Sequence, residues 1–320
     1  MYKKEYIFSN EEFKILKEPR KIIKEYDDNE EWKKLEDNFF NILGFHNQKY
    51  HLSVDYCASN IIHNIMCNYG NQEDVLFITS SCEHDIVKSH FHLFPNHITL
   101  FKNNNDKQIN NILRDLSKYK KVLIYHIGTG ITNGEIFDNK LFLELKAKIL
   151  LCNPLCEVTM VLDDVQGMFI VPRDYSIFDY VIGTAHSLTE YDMGMVISKN
   201  DDYGYKVKNW LNDYIPKVSI VKQHYNEIID VYNYLLENLH CKMDLGFNKT
   251  ENILAVDIPD YLHQKILNAK DELLKLKIHY DYNDDDTFSP HRFLRIRLSE
   301  FLTQKVKVDD VISFINGIME

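Results

Sequence analysis

The chain is poor in the residues that punctuate or loosen a fold. Its 320 residues include 11 glycines and 7 prolines, and neither type gathers into a tract, so no long disordered linker is indicated. No run of about 18 apolar residues occurs, which argues against a membrane span. The opening residues, MYKKEYIFSNEEF, carry lysines but no apolar segment, so no secretory signal is read there. Basic residues are in deficit: 37 Lys and Arg against 48 Asp and Glu give a net charge of −11. That balance opposes general nucleic-acid binding, which needs clustered cations to neutralise phosphates. The one basic cluster, KILKEPRKIIKEYDD, is diluted at once by acids and reads as a solvated face. The six cysteines (Cys57, Cys67, Cys82, Cys152, Cys156, Cys241) include no CxxC pair. Cys152 and Cys156 lie in LCNPLC without a histidine or second pair at zinc spacing. Free thiols in a reducing cytoplasm are the reading that follows.

What is present is a regular alternation. Residues 28–43 repeat apolar positions at helical spacing and stop at Gly44, a suitable C-cap. Short apolar runs at 50–56, 74–80, 97–103, 121–128, 158–164, 178–185 and 193–199 read as strands, and helical patterns separate most of them. Continuous apolar strands alternating with helices predict an α/β fold with a mostly parallel sheet covered on both faces. The last two strands follow each other without a helix and break the pattern. Residues 205–240 read as a long helix interrupted at Pro216. Beyond it, strand, helix, strand, strand and helix predict a smaller C-terminal α+β unit. The expected boundaries are 1–27 for an N-terminal segment packing on the small domain, 28–235 for the large domain and 236–320 for the small one.

In an open parallel sheet, ligands sit beyond the carboxyl ends of the strands. Small residues after strand 50–56, Ala58 and Ser59, open a helix and leave backbone N–H groups able to hold an anion. Four further strands end in polar groups: CEHD with His84, GTGITNG with Thr129, DDVQG with Asp163 and Gln166, and TAHS with Thr184 and His186. Taken singly, each has a plain structural reading: hydrogen-bonded histidines, Asp163 as a helix cap, Thr129 as a turn residue. Their order along the chain is the informative feature.

That order resembles the fold-type I pyridoxal-phosphate enzymes, in particular the class V aminotransferase and cysteine desulfurase branch, from about residue 28 to the C-terminus. The resemblance implies the PLP-dependent transferase fold with a seven-stranded type of sheet. It implies that His84 stacks on the cofactor ring, that Asp163 pairs with the protonated ring nitrogen, and that Gln166 and Thr129 lie near the ring hydroxyl. A carboxylate at the ring nitrogen keeps it protonated, so that the ring acts as an electron sink. Asp164 is one residue away and is expected on the opposite strand face. Thr184 and His186 match the family's phosphate ligands, and Ala58 and Ser59 its phosphate cradle, although YCASN lacks the usual glycines. In FLRIRLSEFLT, Arg297 matches the arginine that clamps a substrate carboxylate, and Arg295 shares its strand face. The resemblance also implies a homodimer acting on an amino acid or other carboxylate, with no nucleic acid or membrane partner.

One position departs from the pattern. The family's Schiff-base lysine follows the histidine of this motif, and here that residue is Ser187. A serine hydroxyl forms no imine and is a poor base without an activating partner. Lys199 lies beyond the next strand, too far along to substitute. One reading is therefore a protein that binds pyridoxal or pyridoxamine phosphate non-covalently, with His84 or His186 moving protons and Ser187 at the vacated catalytic position. A second is a catalytically inactive scaffold of the same fold, and a third is an engineered replacement that traps an intermediate.

Overall fold

The computed structural model describes residues 6–17, 29–45, 50–80, 85–100, 105–128, 139–165, 167, 173–184, 193–199, 206, 208–240, 253–283, 291–298 and 305–320. Seven strands form the large sheet: β1 (His51–Asp55), β2 (Val75–Ser80), β3 (His97–Leu100), β4 (Lys121–Ile127), β5 (Glu157–Asp163), β6 (Tyr180–Thr184) and β7 (Gly194–Ser198). Their order is β1-β7-β6-β5-β4-β2-β3. The pairs from β3 through β6 are parallel, whereas β7 runs antiparallel to both β1 and β6. This is the mostly parallel sheet that the apolar strands imply. Only nine residues separate β6 from β7, too few for the long crossover that a parallel neighbour needs, so the two run antiparallel.

Helices cover both faces. On one lies α3 (Ala58–Tyr69), packed across β1, β6 and β7, with α4 (Asp85–Lys88) beside it. Ile61, Ile62, Ile65 and Met66 of α3 meet Phe77, Tyr125, Val161, Ile182 and Val196 of the sheet. The alternate strand residues, Leu76, Ile124, Leu162, Val181 and Ile197, face the other way. They pack with α2 (Asn29–Leu43), α6 (Asn139–Cys152) and α7 (Lys208–Gln223), and α5 (Asn105–Asp115) lies against α6. At the sheet edge, the buried Glu36 of α2 accepts the Leu52 amide of β1 at 2.6 Å and an ammonium bond from Lys33 at 2.8 Å.

The long helix breaks in a different place from that expected. Pro216 sits inside α7, and the interruption falls at His224, before α8 (Tyr225–Asn238). A mid-helix proline costs about 3 kcal/mol. The buried face of Trp210, Leu211, Tyr214, Val218 and Val221 offsets that by burial. His224 is held at the break by Glu12 (Nε2–Oε1 2.8 Å) and Glu227 (Nδ1–Oε1 3.1 Å), with Phe8 edge-on. Glu12 belongs to α1 (Asn10–Lys17), so this contact ties the N-terminal segment to the α7–α8 corner.

The second sheet is antiparallel, in the order β8-β10-β9, from β8 (Ile253–Asp257), β9 (Ile278–Asn283) and β10 (His291–Arg297). Between β8 and β9 the expected single helix is split at Ala269 into α9 (His263–Asn268) and α10 (Lys270–Lys275). The last helix, α11 (Val308–Met319), contributes Val308, Val311, Ile315 and Ile318 to the same core as Leu254, Val256, Leu294 and Ile296.

Candidate functional site

Register brings several of the selected residues to one end and one face of the large sheet. Asp163 ends β5 opposite Ile182 of β6, and Thr184 lies two residues further along. Thr184 is opposite Gly194 of β7, and Gly194 is in turn opposite Asp55 of β1. Asp55, Gly194 and Thr184 thus form one row across three strands. Each has the parity of the strand residues packed on α3, as does Asp163, which continues the face of Val161.

Asp163 is buried at 3 % exposure. The Tyr125 hydroxyl donates to its Oδ2 at 2.9 Å, and the Val165 amide donates to Oδ1 at 3.2 Å. Both of these donors are neutral, and a carboxylate has about four lone-pair positions at which it can accept. Asp164 belongs to the other face. Arg173 Nε donates to its Oδ1 at 2.8 Å and Tyr175 donates to its Oδ2 at 2.7 Å. Burial pushes the Asp164 carboxyl upward, and the Arg173 charge and Tyr175 hydrogen bond pull it back. The same burial, with the Asp164 charge, pushes Tyr175 well above its ordinary value. Lys222 is shifted down by burial, against the attraction of Asp164. Gly128 passes close to this pair: a Cβ there would stand 2.8 Å from Asp164 Oδ1 and 3.1 Å from the Arg173 guanidinium carbon. Two adjacent aspartates therefore have separate environments, one braced from behind by a buried ion pair and one directed to the α3 side.

The start of α3 comes down on the strand ends because residue 194 has no side chain. A Cβ on Gly194 would lie 2.4 Å from the Ala58 nitrogen and 2.5 Å from the Cys57 carbonyl carbon. The N-cap of α3, Cys57, makes no side-chain hydrogen bond to the first turn. The Ala58 and Ser59 amides thus keep the character of an anion site, reinforced by the helix dipole. Asp55, which the sequence reading passed over, faces this turn. Its Oδ1 accepts from the Tyr56 amide at 2.6 Å and from Asn60 Nδ2 at 3.3 Å. A carboxylate here takes up part of the positive potential that a phosphate would use. The Thr184 hydroxyl donates to the Met193 carbonyl at 3.0 Å, so a phosphate would compete with that carbonyl for the proton. The signal for Asp55 was available in the sequence, as an acidic residue ending a strand just before a helix.

Leu294 and Ile296 of β10 and the following Leu298 point into the core, and Arg295 and Arg297 share the opposite face. Arg297 is buried and Arg295 half-buried. His84, Thr129, Gln166, His186 and Ser187 lie outside the described residues. Among the described residues, no group of three His, Cys, Asp or Glu side chains is placed to hold a metal. No described helix is long and apolar enough to cross a membrane.

No protein-family model matches the chain, and no curated protein sequence does. Solved structures do. A Sphingomonas wittichii serine palmitoyltransferase superposes with a TM-score of 0.67 at 12 % identity, over 98 % of this chain and 85 % of that one. A NifS-like protein from Rickettsia africae gives 0.65 at 14 % identity, over 94 % and 92 %. A structure of SPT with PLP gives 0.65 at 12 % identity, over 91 % and 77 %. Identities this low speak for architecture alone. The chain has the fold of the PLP-dependent transferases.

Proposed function

We propose that this chain binds pyridoxal 5'-phosphate or pyridoxamine 5'-phosphate non-covalently and acts as an aminotransferase-like protein on an amino or carboxylate-bearing small molecule. The observation that supports it is the convergence of buried Asp163, Thr184 and the start of α3 on one face at one end of the sheet. When bound, the cofactor would supply an electron sink for charge developing on a substrate carbon. Asp163 would hold the proton on the ring nitrogen, fixed in orientation by Tyr125. The Ala58 and Ser59 amides, Thr184 and His186 would bind the phosphate, and Gln166 and Thr129 would orient the ring hydroxyl. His84 would cover the ring and carry protons that a lysine would otherwise carry, with Ser187 in the lysine's place. Arg297, or Arg295 on the same face, would bind a substrate carboxylate. The resemblance would make the chain a homodimer, and its free-thiol cysteine pattern would suit the cytoplasm.

The test is a titration of the purified protein with each cofactor form, followed by absorbance and thermal unfolding. A saturable spectral shift is expected, with stabilisation of about 2.7 kcal/mol at a hundredfold excess over Kd. Asp163→Asn keeps an acceptor for Tyr125 but loses the charge, and should weaken binding roughly 10- to 100-fold. The reading fails if neither ligand changes either signal. A catalytically inactive scaffold is the second reading, favoured by the Asp55 carboxylate at the start of α3 and by Ser187. It expects no cofactor response and unchanged behaviour of Asp163→Asn.

A further inference from the structure

The outer side of α3 carries a hydrogen-bonded chain that the reading above does not use. His63 and Cys67 lie one turn apart on the same exposed side of the helix. Cys67 Sγ is 3.5 Å from His63 Nε2 and 3.9 Å from its Nδ1. His63 Nδ1 is 2.8 Å from Nε2 of His90, which follows α4 and is 7 % exposed. The far nitrogen of His90, Nδ1, is 2.6 Å from the Ile86 carbonyl and 3.3 Å from the Ser89 hydroxyl.

That carbonyl fixes the proton positions. A carbonyl oxygen only accepts, so His90 Nδ1 bears the hydrogen, and in the neutral ring Nε2 carries the lone pair. His63 must then donate from Nδ1, which leaves Nε2 as its lone-pair nitrogen, and Nε2 is the atom that Cys67 faces. The chain therefore runs Cys67 S–H to His63 Nε2, His63 Nδ1–H to His90 Nε2, and His90 Nδ1–H to Ile86 O. When the thiol proton passes to His63, the resulting imidazolium still has a neutral acceptor at Nδ1. This is the nucleophile–base–orienting-group logic, with a buried histidine in the orienting role.

We propose that Cys67 is a reactive surface thiol, with His63 as its base and His90 as the positioning residue, that undergoes exchange with small neutral or cationic disulfides. The proton of Cys67 passes to His63, and the thiolate attacks one sulfur of the disulfide RS–SR. The Cys67–SR bond forms as the S–S bond of RS–SR breaks, and the departing RS⁻ takes the proton from His63. One disulfide is consumed and one is formed, so no external oxidant is needed. The charge preference follows from the net charge of −11 and from the absence of any charged residue in α3. Cys152 is the internal reference: it is also an exposed free thiol, and among the described residues no imidazole is placed against it.

The experiment is a time course with bis(2-hydroxyethyl) disulfide at pH 7, read as mixed disulfide on each cysteine by peptide-resolved mass spectrometry. A free thiol of ordinary acidity is only about 3 % thiolate at that pH. A thiol that hands its proton to a neighbouring imidazole should react about tenfold faster. The expected result is Cys67 modified about tenfold faster than Cys152, with His63→Gln bringing the two rates together at unchanged thermal stability. Equal rates in the parent protein overturn the proposal, and so does a Cys67 advantage that survives His63→Gln.

Discussion

Replacing Gly194 by alanine tests the link between fold and site most directly. The added Cβ would stand 2.4 Å from the Ala58 nitrogen, 2.5 Å from the Cys57 carbonyl carbon and 2.6 Å from the Ala58 Cα. All three atoms are backbone, so no side-chain rotation relieves the contact. Reaching an ordinary 3.4 Å from 2.4 Å means displacing the start of α3 from β7 by about 1 Å. Strand β7 is central between β1 and β6 and cannot yield without disturbing both ladders. Overpacking of a rigid core typically costs about 1–3 kcal/mol, and the backbone character of this clash sets the expectation at about 3 kcal/mol, or about 5 °C in Tm for a chain of this size. Two other glycines calibrate the measurement. Gly317 in α11 meets nothing within 4 Å, so Gly317→Ala should stabilise by up to about 1 kcal/mol through helix propensity. Gly44 also meets nothing but has φ +73°, so Gly44→Ala should cost about 1 kcal/mol from left-handed backbone alone. Urea and thermal unfolding of the three variants give the order Gly317→Ala, Gly44→Ala, Gly194→Ala from most to least stable. If Gly194→Ala loses no more than Gly44→Ala, the packing account of the α3–β7 contact is wrong. The displaced amides should also weaken the response to pyridoxal phosphate, because the anion site moves with the helix.

The buried edge carboxylate Glu36 holds the Leu52 amide and the Lys33 ammonium, so Glu36→Ala should destabilise by about 2 kcal/mol in urea unfolding. A loss below about 0.5 kcal/mol would show that water replaces the carboxylate. The acid dependence of stability should report His97, half-buried on β3 beside Thr79 and Thr99 and pulled down from 6.5 to about 4 by burial. A depressed histidine is neutral in the fold, so its contribution is present above 6.5 and is lost as pH falls toward 4. After allowance for solvent screening that amounts to about 1–2 kcal/mol. Urea unfolding at pH 7 and pH 4.5 should show a gap smaller by that amount in His97→Gln, and an unchanged gap would refute the assignment.

Some of this was legible in the chain because it is local. Apolar runs ending in Asp163 and Thr184 announce buried strands with polar ends, whatever they pair with. The short stretch between 178–185 and 193–199 announces a break in the parallel pattern for the same reason. The helix break was misplaced because Pro216 is a strong local signal. The observed break depends instead on His224 meeting Glu12, more than 200 residues away. Asp55 does not stand out in the sequence because the small residues after β1 carry the anion-site signal, and only the fold of Tyr56 and Asn60 around it shows a carboxylate facing the helix start.

The sequence by itself determined the alternation of elements, the sign of the net charge, the substitution at Ser187 and the chemical types gathered at the strand ends. Only the tertiary structure decided that Asp55, Gly194 and Thr184 stand in one row and that Arg173 and Tyr175 are the groups that hold Asp164. It alone joined Cys67 and His63 to His90. The physical reason is that strand pairing and helix docking are non-local: a register shift of one residue would turn Asp55 and Thr184 to the other face, and only the packing of α3 beside α4 brings His90 to His63.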